Sequence, residues 1–273
     1  MNAADPSLYT GPELPLNSVA MTTESPLTFE HGYDIRSYEP RPDGRVSVTA
    51  ICNQLQDIAS RHADRLGFGH RDLEQSGHFW ILARLHLMVD RLPGFGGRTD
   101  IVTWPSGNER LVALRDFLVL DDDGPLGRAT TSWVTMNAKT HRPDPPQTVL
   151  HERFIPDREH ALTFPTKAVT RLKWGEHQTR LTARRADMDI NGHVNNVKYL
   201  EYCFEAVPAE WIADNRCHGV DIQFRSESFP GDELVSECAK GEPDQSMDTF
   251  LHGLTRVSDN KEIVRMRSWW RRP

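Results

Sequence analysis

"DMDINGHVNNVKYLEYCFEAVP", residues 187–208, joins a polar turn directly to an apolar-periodic segment. The turn crowds Asp187, Asp189, Asn191, Gly192, His193, Asn195 and Asn196 together. After it Val197, Leu200, Phe204, Val207 and Trp211 recur at helical spacing, with Pro208 placed to kink or end the helix. A weaker copy lies upstream. "PDGRVS" (42–47) lies over "INGHVN" (190–195), and Ile51, Leu55, Ile58 and Leu66 then recur at helical spacing, with Cys52 and Ala59 alongside. Where the second copy carries Asp189, Asn191, Gly192 and His193, the first carries Arg41, Asp43, Gly44 and Arg45. Only the glycine is shared, as expected if the turn needs a positive φ or a close backbone approach.

The correspondence continues past the helices. Ile81, Ala83, Leu85, Leu87 and Val89 alternate in the first half, and Val220, Ile222 and Phe224 in the second, the period of a strand. "GFGGRTDIV" and "SFPGDELVS" follow these strands, and "SWVTMN" and "SWWRRP" close the last ones. Self-similarity on this scale indicates a duplicated domain rather than a solenoid. The expected fold is α+β: two tandem units, each a long central helix wrapped by a curved antiparallel sheet, joined at their strand edges. The units are expected at 28–140 and 171–273. A proline-rich, charged linker at 141–170 crosses the surface between them, and a mobile tail occupies 1–27.

Composition narrows the function. At 273 residues the chain is long enough for two domains, and its 38% hydrophobic and 26% charged residues are ordinary for a globular protein. A formal charge of −7 argues against a nucleic-acid partner. No apolar run approaches the roughly 20 residues that cross a bilayer. The first 35 residues hold no Lys or Arg, unlike a signal or transit peptide, so a cytoplasmic location is expected. Cys52, Cys203, Cys217 and Cys238 lack metal-ligand spacing and are expected as reduced thiols. No glycine-rich nucleotide motif and no paired histidines stand out, so neither cofactor nor metal is expected.

The polar turn admits two readings. Asp and Asn are favoured helix caps, and Asn195 or Asn196 can serve as one. Yet the carboxylate of Asp189 and the imidazole of His193 have only Arg41 and Arg45 at the matching places of the first copy, whereas capping would need them equally in both. The N–H groups at a helix start favour a developing oxyanion. Asp189 beside them can act as general base or nucleophile, His193 can orient a water or the carboxylate, and Asn191 can position without titrating. Cys203, within the helical pattern, is a poor nucleophile.

The stretch 187–208 resembles the signature of the acyl-acyl-carrier-protein thioesterases, the plant FatA/FatB type and its bacterial relatives. "YDIRSYEPRPDGRVSVTAICNQLQDIA", "VDRLPGFGG", "VTWPSG" and "RATTSWVTMN" resemble the family's first domain in order and spacing, so the likeness spans about residues 29–273. The resemblance implies a tandem double hot-dog fold and hydrolysis of fatty acyl thioesters carried on the phosphopantetheine of acyl carrier protein. It places the family's catalytic Asp, Asn and His on Asp189, Asn191 and His193, and its catalytic Glu on Glu227 of "FRSESFPGD". It also puts the acyl tail in the first domain, between helix 51–66 and the strand from Trp80 to Val89. Ser228 stands where plant members have Cys, and Gly192 where they have Gln, the latter resembling acyl-CoA thioesterases of the same superfamily. An acyl-CoA thioesterase is therefore an alternative, and a hot-dog enoyl hydratase or dehydratase a more distant one. Because carrier proteins are acidic, Arg184 and Arg185, with Arg171, Lys173 and Arg180 nearby and Arg265, Arg267, Arg271 and Arg272 at the end of the chain, are candidates for a docking rim. A homodimer is expected.

Overall fold

A computed structural model describes residues 27–150, 158–190 and 192–273. The expected tail lies almost wholly outside the described residues, and so does Asn191. Among the described residues eleven strands form one antiparallel sheet: β1 (Phe29–Asp34), β2 (His78–Val89), β3 (Arg98–Glu109), β4 (Val112–Asp121), β5 (Gly124–Asn137), β6 (Pro143–Asp144), β7 (His177–Thr182), β8 (Arg216–Phe224), β9 (Glu233–Asp244), β10 (Met247–Arg256) and β11 (Lys261–Arg271). Their order, β1-β3-β4-β5-β2-β8-β11-β10-β9-β7, reads the same from either end once β1 is matched to β7 and β2 to β8. The two halves meet through β2 and β8, with Arg84 opposite Gln223 and Met88 opposite Gly219. Each half thereby loses one exposed edge.

The helix α1 (Val48–Leu66) forms where the spacing predicts it. Ser47 caps its start by accepting from Ala50 N at 3.1 Å, and Gly67, at φ +78°, ends it. Phe68 N and Gly67 N reach back to Ala63 O and Asp64 O, satisfying carbonyls the helix leaves open. Ile51, Leu55 and Ile58 are fully buried against the sheet, each contributing about 1.5–3 kcal/mol. A short α2 (His70–Gln75) follows.

The second central helix differs from the expected long one. α3 (Asn196–Phe204) has nine residues, and α4 (Ala209–Asp214) restarts after Pro208. Proline lacks the N–H that would continue the ladder and disfavours helical geometry in the residue before it, so Val207 and Trp211 fall on different segments. α3 still buries Val197, Leu200 and Cys203, and one continuous core runs from α1 through β2 and β8 to α3.

The alternation in β2 also carries a correction. A bulge between Leu82 and Arg84 shifts the register, so Leu85, Leu87 and Val89 face the core while Ile81 and Ala83 are only half-buried. The opposite face of β2 is buried as well, beneath the segment between the halves. Thr163 O is bonded by His86 Nδ1 at 3.0 Å, Thr166 O accepts from Arg84 at 2.9 Å, and Asp116 on β4 accepts from Ala161 N at 2.8 Å. Part of the expected linker, Pro143–Asp144, adds the short strand β6 to β5.

Candidate active site

The two turns aligned in the sequence share their described backbone features. Bridges pair Pro40 with Val46 and Met188 with Val194, and both Gly44 and Gly192 sit at φ +77°. Arg41 N donates to Arg45 O at 2.8 Å, and Asp189 N to His193 O at 2.8 Å. Val46 N donates to Pro93 O, and Val194 N to Ser228 O, so each turn is held by the loop that follows β2 in the first half and β8 in the second. Asn195 caps α3 by accepting from Val197 N at 2.9 Å, as Ser47 caps α1. That cap takes Val197 N–H, and Asn195 O takes Lys198 N–H, so two of the helix-start donors are already engaged.

The Val194–Ser228 bond brings Glu227 beside the turn. His193 Nδ1 lies 3.4 Å from Glu227 Oε1, and both side chains are partly exposed. The Phe229 ring meets the imidazole edge-on at 5.2 Å. Asp189, His193 and Glu227 all line one cavity of about 1240 Å³, which extends into the first half past Ala59, Ala63, Trp80, Leu82 and Trp133. Asn196 on α3 donates to Gln56 on α1 at 3.3 Å across its rim. Among the described residues no group of three His, Cys, Asp or Glu could hold a metal. A carboxylate and an imidazole in ion-pair reach, with a second carboxylate on the same wall, can move a proton to and from a water or a leaving group.

Two family models match this chain: the N-terminal domain of acyl-ACP thioesterases over residues 26–152, and their C-terminal domain over 172–272. The chain belongs to the acyl-ACP thioesterase family. It is 27% identical to an oleoyl-acyl carrier protein thioesterase of Arabidopsis thaliana, over 92% of this chain and 78% of that one. Among solved structures it resembles an acyl-ACP thioesterase from Bacteroides thetaiotaomicron, with TM-score 0.80, 25% identity, and 91% and 100% of the two chains covered. It also resembles the 12:0-ACP thioesterase from Umbellularia californica, with TM-score 0.81, 28% identity, and 90% and 95% coverage. The fold of these acyl-ACP thioesterases is the tandem double hot-dog, the α+β architecture expected from the sequence.

Other residues of this thioesterase's site escaped the sequence reading. Asp187, the first carboxylate of the polar stretch, is buried as an anchor. It accepts from Arg184 N, Nε and Nη2 at 2.8–3.0 Å and from Tyr202 Oη at 2.6 Å. The Arg184 guanidinium holds its carboxyl at about 2. Tyr199 on α3 accepts from Ser228 N at 2.8 Å and so fixes the backbone next to Glu227, while burial pushes its phenol up to about 12. The helical pattern of Val197, Leu200 and Phe204 did not single Tyr199 out. The Ser228 hydroxyl is buried with no partner among the described residues. All four cysteines are free and buried, and burial drives the Cys203 thiol far above its ordinary range.

Several of the basic residues nominated for docking are already paired. Arg184 is bound to Asp187, Arg171 and Arg265 converge on Glu262, and Arg267 pairs with Asp244. Arg185 sits next to Arg184 on a 3-10 turn (Arg185–Asp187) and is exposed.

Proposed function

We propose that this chain hydrolyses fatty acyl thioesters of acyl carrier protein to free fatty acid and carrier thiol. The observation that carries the reading is the His193–Glu227 pair, beside Asp189, on the wall of a cavity large enough for an acyl chain. The names of its relatives, oleoyl- and palmitoyl-acyl carrier protein thioesterases among them, support the same chemistry.

In the proposed mechanism Glu227, oriented by His193, takes a proton from a water whose oxygen attacks the thioester carbonyl. The carbon–sulfur bond then breaks and the proton passes to the departing sulfur. A thiol leaves readily, with a pKa of about 8.5, so strong acid assistance is unnecessary. Asp189 holds the reacting groups from the turn, and Asn191, which lies outside the described residues, is assigned a positioning role by its place in the motif. The acyl tail is assigned to the cavity in the first half and the carrier to a rim that includes Arg185.

Thiol release from a panel of acyl-carrier-protein thioesters, with acyl-CoA thioesters of the same acyl groups alongside, tests this reading. The expected outcome is turnover of one or more saturated or monounsaturated carrier-protein thioesters at higher kcat/KM than their coenzyme A counterparts. Turnover of none of them, with the protein folded, would refute it.

A further inference from the structure

Among the described residues two guanidinium groups are buried against the sheet, and they are held differently. Arg84 meets Asp221 through two hydrogen bonds of 2.6 and 2.7 Å, the usual way to neutralise a buried guanidinium. Arg115, only 6% exposed, has no such partner. Its Nη1 donates to His62 Nδ1 at 2.9 Å and to Thr103 Oγ1 at 3.3 Å, both uncharged acceptors in this arrangement. Among the described residues no carboxylate comes within ion-pair distance of it, and Nε and Nη2 have no acceptor. Burial pushes its pKa down to about 10, so it keeps its charge at neutral pH.

Arg115 also lines the cavity. It lies opposite Thr131 on β5, which lies opposite Leu85 on β2, which lies opposite Ile222 on β8. Residues paired in this way share a face of the sheet, here the face packed on α1. Three strand spacings separate Arg115 from β8, the strand that leads to Glu227, or about 14 Å. The guanidinium therefore stands well inside the first half, on the side of the cavity away from the reacting groups. An apolar tail of the same size would pack against Met or Leu at no electrostatic cost, whereas a buried charge without a counter-charge is costly. Donors that protein leaves unused and aims into a cavity are suited to a ligand's oxygen.

We propose that Arg115, supported by His62, receives an oxygen at or near the far end of the acyl chain: a hydroxyl, a keto group or a carboxylate. Oxygenated acyl groups are then favoured over plain alkyl ones of the same length. This rests on the reading that the cavity holds the acyl chain.

The test uses pantetheine thioethers, which bind as acyl thioesters do but cannot be hydrolysed. Series of alkyl chains ending in methyl, hydroxyl or carboxylate are titrated by calorimetry, and the matching thioesters are assayed for hydrolysis. At one or two chain lengths the oxygenated ligand is expected to bind about tenfold or more tightly than its methyl counterpart. Arg115→Met is expected to remove that difference and to tighten binding of the methyl series, while Arg115→Lys keeps part of it. Equal or weaker binding of oxygenated ligands to the wild-type protein at every length would overturn the proposal, whether or not the variants fold. So would a preference that survives Arg115→Met. Oxygenated thioethers binding preferentially while no thioester is hydrolysed would uphold this assignment and refute the hydrolase reading. Hydrolysis of plain thioesters with no preference for oxygen would do the reverse.

Discussion

Asp187 and Asp189 are two residues apart and do different work. Asp187, held at about 2 by Arg184, is ionised in the folded chain well below the ordinary carboxylate range. Its folded value is depressed, so its stabilising contribution is present above pH 3.8 and is lost as pH falls toward 2. Asp187→Asn is expected to lower stability by about 2 kcal/mol in denaturant unfolding at neutral pH, and to flatten the acid limb of the stability profile. The same anchor separates the two arginines. Arg184→Glu sets a second carboxylate against Asp187 and should disturb the turn, lowering kcat as well as raising KM. Arg185→Glu should raise KM for acyl carrier protein severalfold, lessen its salt dependence and leave kcat alone. An unchanged KM for Arg185→Glu would remove this residue from the docking rim.

The turn before the central helix occurs twice, framed by the same bridge, backbone bond and glycine, with two chemistries. Positions occupied in the second half by Asp189, His193 and Glu227 carry Arg41, Arg45 and Leu92 in the first, the last match following from the bonds Val46 N to Pro93 O and Val194 N to Ser228 O. Freed from any catalytic demand, the first turn clamps the other half instead. Arg41 donates to Ile212 O at 2.6 Å, at the end of α4, and Asp43 pairs with Arg216 at 2.7 Å. Gly44 and Gly192 share φ +77°, and a Cβ at either meets nothing within 4 Å, so substitution by alanine isolates the backbone cost. Gly44→Ala and Gly192→Ala are each expected to cost about 1 kcal/mol, with only Gly192→Ala reducing kcat. Equal loss of activity in both would argue against a site confined to the second turn. This element was legible because a glycine at positive φ and an apolar helix face leave marks in sequence. The break at Pro208 was visible but its severity was not, since tertiary packing decides whether a helix bends or stops. The bulge after Leu82 was invisible, because alternating apolar residues look the same in either register.

At the scale of the molecule, the segment between the halves is a strap over the outer face of the sheet. Asp116 is fully buried and accepts from Ser106, Thr130, Ala161 N and His160 Nδ1, the last at 3.0 Å. The hydrogen bond to Asp116 raises the pKa of His160 above its usual 6.5. A raised histidine contributes stability that is fully present below pH 6.5 and is lost as pH rises through the folded value. Hydrogen exchange over residues 158–168 is therefore expected to quicken between pH 6 and 8, beyond the intrinsic base-catalysed increase, and His160→Gln should abolish that excess. The strap shows where sequence reading stops. Proline and charge marked 141–170 as a connection, but nothing in it announced that it covers Asp116, Arg84 and His86. Those contacts join positions 44 to 82 residues apart. Glu227 is the same kind of case: an acidic residue leaving a strand, given meaning by the family likeness and brought to His193 by the fold.

The proposed catalysis depends on that pairing of His193 with Glu227. Single-turnover release of carrier thiol from an acyl-carrier-protein thioester, measured for the wild type beside Glu227→Gln and His193→Ala, tests it most directly. The expected result is a loss of about 10²–10⁴-fold in the rate of the chemical step for each variant, with substrate binding retained. Near wild-type rates in both, from folded protein, would contradict it.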